Sequence, residues 1–159
     1  MYGPAPPTIQ PQVADNRLGG LTAKRPTTLY AIDQVAEPKK NHVLLVEDDP
    51  SISQLYAFGL RMSGYRVDIA ADAATAQVMF ACSRPDVVCV DSRLPDGSGS
   101  TLASVLVGRG ATVILLTNDQ ECWERPPAGI DRALLKWRTT PAQLSEEIGR
   151  LSPARARRD

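Results

Sequence analysis

Short apolar runs alternate along the chain with stretches whose apolar positions recur at helical spacing. "HVLLVE" (His42 to Glu47) is a branched, apolar run bounded by polar residues, the pattern of a strand covered on both faces. Asp49 and Pro50 then form a helix start, with an N-cap carboxylate and proline at the first helical position. Ile52, Leu55, Tyr56 and Leu60 supply the apolar stripe of that helix, and Gly64 its stop. "YRVDIAA" reads as a second strand, and Asp72 as the cap of a helix carrying Ala76, Met79 and Phe80. "DVVCVD" is a third strand ending in Asp91; "LPDGSGS" is a loop, followed by a helix with Leu102, Val105 and Leu106. "ATVILLT" is a fourth strand ending at Thr117, and the shorter "RALLK" a fifth ending at Lys136. Thr140 and Pro141 open a last helix with Leu144, Ile148 and Leu151 on one face. Five strand–helix repeats predict an α/β fold, an open parallel sheet with helices on both faces.

The flanks differ. In residues 1–41, Pro4, Pro6, Pro7, Pro11, Pro26 and Pro38 break any long element, and the segment reads as a proline-rich, disordered extension. Within it "TLYAIDQVAE" places Leu29, Ile32 and Val35 at near-helical spacing, which leaves a short docking helix open as the alternative to a linker. Residues 152–159, with Arg155, Arg157 and Arg158, read as a solvated Arg-rich tail, so the expected domain is 42–151.

Composition removes several function classes. Lys and Arg total 18 against 18 Asp and Glu, so no global field steers the chain toward nucleic acid or a membrane. No apolar run approaches the roughly 20 residues of a membrane span, and the first residues lack the basic start and apolar stretch of a signal peptide. The expectation is a cytoplasmic protein. Cys82, Cys89 and Cys122 show no metal-binding spacing, and Cys82 and Cys89 lie in apolar segments where a thiol acts as a small hydrophobe. The single histidine, His42, reads as a solvated edge residue and argues against a Ser-His-Asp or multi-histidine site.

In an open parallel sheet, ligands bind outside the carboxyl ends of the strands. The residues at those ends here are Glu47 and Asp48, Asp91, Thr117 and Lys136. Adjacent carboxylates suit a hard divalent cation, Mg²⁺ or Mn²⁺, and a lysine and a threonine hydroxyl suit phosphoryl oxygens. Together they point to metal-assisted phosphoryl transfer, with Asp49 left as a helix cap.

On these residues, His42 to Leu151 resembles a response-regulator receiver domain of two-component signalling. "LLVEDDP" is similar to the family's first acidic motif and "VVCVDSRLPDGSG" to its phosphoacceptor motif; "VILLT" and "ALLK" are similar to its threonine and lysine motifs. The resemblance implies a flavodoxin-like, doubly wound five-stranded parallel sheet of order 2-1-3-4-5. It implies Asp91 as phosphoacceptor, with Asp48, Asp91 and the backbone carbonyl of Arg93 as Mg²⁺ ligands and Glu47 acting through a bound water. Thr117 and Lys136 would bind the phosphoryl group, Thr117 moving inward as the switch, and Arg93 and Asp119 would tune the hydrolytic water. The implied partners are a histidine kinase or histidine phosphotransferase and a downstream protein target. A homodimer is compatible with the resemblance; a DNA-binding domain is not expected in the tails, nor a membrane contact.

Three positions depart from the family pattern. Trp137 follows Lys136 where a cis proline is usual, so that the loop is either trans and differently shaped or strained. Ala133 replaces the switch aromatic, and Trp137 is read as covering the core. The fourth helix, cut short by Pro126 and Pro127, is expected to be short or irregular, and Asn118 to narrow access to Asp91. Two further readings remain: a pseudo-receiver working through constitutive protein contacts, and an aspartate-nucleophile phosphatase. The latter needs an acid two residues after the nucleophile, where this chain has Arg93, so the expectation is no enzyme beyond self-phosphorylation and self-dephosphorylation.

Overall fold

A computed structural model describes residues 41–152. The proline-rich segment up to residue 40, including the stretch around Ile32, and the Arg-rich tail beyond Ser152 lie outside the described residues. The described chain begins with β1 (His42–Val46), α1 (Pro50–Met62), β2 (Arg66–Ala70), α2 (Ala73–Ser83) and β3 (Val87–Asp91). It continues through a two-residue pair, β4 (Arg93–Leu94) and β5 (Gly97–Ser98), then α3 (Gly99–Gly108), β6 (Val113–Thr117), α4 (Gln120–Glu124), β7 (Arg132–Leu135) and α5 (Pro141–Leu151). The main sheet is parallel, in the order β2-β1-β3-β6-β7. Setting aside the small β4–β5 hairpin, this is the 2-1-3-4-5 order expected from the resemblance.

Side chains alternate across the three central strands. Leu44, Val46, Val88, Val90, Val113 and Leu115 pack under α2 and α3 with Ala76, Phe80, Leu102, Ala103 and Leu106. Val43, Leu45, Cys89, Ile114 and Leu116 pack under α1 and α5 with Tyr56, Ala57, Leu60, Leu144 and Ile148. Each fully buried Leu, Ile or Val contributes about 1.5–3 kcal/mol. Burial on both faces is why β1, β3 and β6 read as unbroken apolar runs.

Helix starts follow their caps. Asp49 Oδ1 accepts from the amides of Ser51 and Ile52, and Asp72 Oδ1 from that of Thr75. Gly64, just past α1, takes φ 90°, a left-handed conformation that glycine adopts without steric cost. Thr140 and Gln143 form a reciprocal capping box at α5.

Several sequence expectations are corrected. The face of α1 turned inward carries Ser53, Tyr56, Ala57 and Leu60, while Leu55 is 59% exposed. Gly59 meets α5 closely: a Cβ there would lie 2.3 Å from Cβ of Pro141, so no larger residue fits at that position. In α3, Ala103 takes the inner position with Leu102 and Leu106, and Val105 is turned outward. "LPDGSGS" is not a simple loop but contributes the β4–β5 hairpin, and Asp96 within it accepts from the amides of Ala73 and Ala74 at the start of α2. His42 is buried, its Nε2 2.7 Å from Asp68 Oδ2 and its backbone amide donating to Asp86 Oδ2. Cys82 is exposed, whereas Cys89 is buried in the sheet.

Candidate functional site

The carboxyl ends of β1, β3, β6 and β7 bring Glu47, Asp91, Thr117 and Lys136 to one edge of the sheet. Glu47 follows the last residue of β1 and is 1% exposed, with its backbone amide bonded to the Ala70 carbonyl of the neighbouring strand. Asp48 beside it is exposed. Asp91 ends β3 and is buried; its Oδ1 accepts from the Arg93 amide at 3.2 Å. The carboxylate oxygens of Glu47, Asp48 and Asp91 lie within 4.8 Å of one another, the one such cluster of potential metal ligands among the described residues.

Lys136 reaches into this cluster from the opposite side. Its ammonium donates to Asp91 Oδ2 at 3.0 Å and lies 2.7 Å from Glu47 Oε2. Burial alone would depress the Lys136 ammonium, but the bonds to Glu47 and Asp91 and their charges outweigh it and raise its pKa. Burial also pushes the Glu47 carboxyl above its ordinary range; the Lys136 bond opposes this and the Asp91 charge adds to it. Glu47 Oε2 is buried and has no hydrogen bond of good geometry, since the ammonium approaches it off the preferred direction. An oxygen-only donor set of three clustered carboxylates fits a hard divalent cation.

Of the two forms the sequence left open for the loop after Lys136, trans and differently shaped or strained, the structure has the first: the Lys136–Trp137 peptide is trans. Lys136–Arg138 form a single 3₁₀ turn, closed by Thr139 Oγ1 donating to the Leu135 carbonyl at 2.8 Å. The Tyr56 hydroxyl from α1 donates to the Thr139 carbonyl at 2.9 Å, with the Lys136 carbonyl farther off at 3.4 Å. Tyr56 was legible only as an apolar stripe residue, and its clamp on the lysine loop had no sequence signal.

Thr117 is fully buried and engaged away from the carboxylates. Its Oγ1 accepts from Ser92 Oγ at 2.9 Å and from the Asp119 amide at 3.0 Å. The Asp119 carboxylate caps α4 through the amides of Glu121 and Cys122. The Arg93 side chain is exposed. The loop between Asp91 and α3 is drawn tight: the Gly99 amide donates to the Ser92 carbonyl, and a Cβ on Gly99 would lie 1.6 Å from the Asp91 carbonyl oxygen.

Residues 43–146 match the family model described as the response regulator receiver domain. The chain belongs to that family.

The receiver is 32% identical over 111 residues to "Probable transcriptional regulatory protein TcrX" of Mycobacterium tuberculosis, an alignment covering 69% of this chain and 47% of that protein. It is 30% identical over 111 residues to "Response regulator MprA" of the same species, covering 69% and 48%. The chain thus spans about half the length of the curated relatives it matches. Among solved structures, it is similar to the BeF3-activated N-terminal receiver domain of Klebsiella pneumoniae RstA, at 29% identity and TM-score 0.64, covering 70% of this chain and 98% of that one. It is also similar to response regulator TrrA of Thermotoga maritima, solved in complex with Mg(2+)-BeF, at 26% identity, TM-score 0.64 and the same coverages.

The positions singled out in the sequence lie in α4, in β7 and in the turn after it. Helix α4 has five residues and stops before Pro126 and Pro127, as expected. Ala133 is half-buried, and Trp123 of α4 lines the same groove as Ala133 and Ile130. Trp137 does not cover the core: it is 69% exposed, with the Arg138 guanidinium 5.5 Å from its ring centre. Among the described residues no helix is long and apolar enough to cross a membrane.

Proposed function

We propose that this receiver accepts a phosphoryl group on Asp91 from a histidine kinase or histidine phosphotransferase, with Mg²⁺ held by the acid cluster, and signals through protein contacts. The observation that supports it best is the Lys136 ammonium bridging Glu47 and Asp91 beside the three clustered carboxylates. Asp48, Asp91 and the Arg93 backbone carbonyl would hold the cation, with Glu47 acting through a water. When bound, Mg²⁺ supplies the positive charge that offsets repulsion between carboxylates and an entering phosphoryl group.

The remaining roles belong to the chain. An Asp91 carboxylate oxygen attacks the phosphorus of the phosphohistidine; the P–O bond forms as the P–N bond breaks, and its electron pair leaves on the imidazole nitrogen. Lys136, already on Asp91 Oδ2, is within reach of the new phosphoryl oxygens and needs only to exchange one anionic partner for another. Thr117 offers a hydroxyl at the end of the adjoining strand. Arg93 and Asp119 would be the candidates for tuning hydrolysis of the acyl phosphate, Asp119 only once its carboxylate leaves the α4 cap. The pseudo-receiver reading draws no support from the site, in which acids and lysine are mutually engaged.

The test is intact-mass spectrometry after incubation with acetyl phosphate, with and without Mg²⁺, on wild type and Asp91→Asn. A single phosphoryl adduct requiring both Mg²⁺ and Asp91 supports the reading. An adduct that persists in Asp91→Asn, or none in wild type that also fails to bind beryllofluoride, rejects it.

A further inference from the structure

We infer that Tyr56 is a positioning residue that, through the turn following Lys136, holds the Lys136 ammonium for the group carried on Asp91, an inference that rests on the phosphoryl-acceptor reading above. Tyr56 lies on the inner face of α1, and its ring is buried in the core that Leu60, Leu116 and Leu144 share. The packed ring fixes where its hydroxyl points. That hydroxyl has one proton to give. It donates to the Thr139 carbonyl at 2.9 Å, with the Lys136 carbonyl farther off at 3.4 Å. Burial raises the Tyr56 pKa above its ordinary value, so the group remains a donor at neutral pH.

The Thr139 bonds are internal to the turn. Its amide donates to the Lys136 carbonyl at 3.2 Å and its hydroxyl to the Leu135 carbonyl at 2.8 Å, which sets the turn's shape. Trp137 and Arg138 between them are exposed. Among the described residues, Tyr56 supplies the side-chain hydrogen bond that ties the turn's carbonyls to another element.

This tie matters more with a group on Asp91 than without one. In the free site two carboxylates hold the ammonium, Asp91 Oδ2 at 3.0 Å and Glu47 Oε2 at 2.7 Å. A group on Asp91 takes up that carboxylate, and a cation beside the acids competes with the ammonium for both. The lysine is then held by its own backbone and by the new anion alone. A turn free to shift must be ordered as the anion arrives, at a cost in affinity. The clustered carboxylates, by contrast, stand at the ends of β1 and β3 and do not depend on the turn.

The experiment titrates Mg²⁺ alone, and then beryllofluoride in saturating Mg²⁺, into wild type, Tyr56→Phe and Asp91→Asn by calorimetry. Tyr56→Phe keeps the buried ring, and Mg²⁺ binding reads whether its acid cluster is assembled. The expected result is beryllofluoride affinity weakened by up to about fivefold, the worth of one neutral hydrogen bond, with Mg²⁺ affinity undiminished. A residue that merely adds stability would leave both affinities as they are. Unchanged beryllofluoride affinity in Tyr56→Phe, or a loss of Mg²⁺ affinity alongside it, overturns the inference. No beryllofluoride binding by wild type, or equal binding by Asp91→Asn, instead overturns the Asp91 reading and takes this inference with it.

Discussion

Lys136 and Glu47 form an ion pair of 2.7 Å in which both side chains are almost wholly removed from solvent, at 8% and 1% exposure. Two buried charges offset each other's desolvation only in part. Here the balance is decided by direction: the carboxyl is pushed up by its burial despite the lysine. Burial therefore opposes the ionised form of Glu47 and the Lys136 bond favours it, and a cation beside the carboxylates would add to the second.

Replacing Glu47 with Gln is expected to change how the melting temperature in EDTA depends on pH, because it removes a carboxyl whose pKa folding raises. The folded-state pKa of Glu47 lies above its ordinary 4.5, so its contribution to stability is complete below that value and is lost as pH rises through the folded pKa. The difference between Glu47→Gln and wild type should thus be small in acid and grow toward neutrality. Calorimetric melts across this range check it; a difference between the two proteins that does not change with pH contradicts it.

Mg²⁺ should stabilise the wild type by linkage, by about 1.4 kcal/mol at a tenfold excess over its Kd. Asp48→Asn is expected to shift that response to higher Mg²⁺ concentration without harming the metal-free fold, because Asp48 is exposed. Thermal melts at graded Mg²⁺ measure both, and an identical response in the two proteins would remove Asp48 from the metal set.

Tyr56→Phe keeps the buried ring and removes the hydroxyl's bond to the Thr139 carbonyl with its longer contact to the Lys136 carbonyl. The expected loss is ~1 kcal/mol in urea denaturation. Because Thr139 is the residue whose hydroxyl closes the turn after Lys136, the variant should also lose phosphorylation rate with acetyl phosphate; an unaltered rate would show that the turn holds Lys136 unaided.

Thiol reagents give a further check on the sheet. Burial pushes the Cys89 thiol up to about 12, so it has almost no thiolate at pH 8. Iodoacetamide at pH 8 should label exposed Cys82 rapidly and leave Cys89 untouched until the chain unfolds. Peptide mapping by mass spectrometry reads both sites, and early labelling of Cys89 would mean the β1–β3–β6 centre opens readily.

How far the sequence reached depended on which physical signal each residue carries. Burial on both sides makes a strand apolar throughout, so β1, β3 and β6 were plain in "HVLLVE", "DVVCVD" and "ATVILLT", and Asp49, Asp72 and Thr140 marked helix starts by their chemistry. Helix faces were read less well, because apolarity does not say which neighbour a helix meets. Leu55 and Val105 look inward in sequence, yet both are exposed, and Ala103 takes the place assigned to Val105. His42 appeared solvated because its partner Asp68 lies on another strand. In the site, the acids and Lys136 stood out by charge. Ser92 and Tyr56 did not, since a hydroxyl shows its role only once its acceptor is placed by the fold.

Gly99 makes a separate point about tolerance to change. It carries no side chain to touch metal or phosphoryl oxygens, yet its amide and the Asp91 carbonyl leave no volume for even one methyl group. In a saturation screen scored for function, this position should therefore fail as uniformly as Asp91, while exposed Arg93 between them accepts many residues at the level of folding. The glycine that closes the "DSRLPDGSG" stretch is thus a mark of excluded volume written into the sequence, and it locates the acid for reasons unrelated to charge.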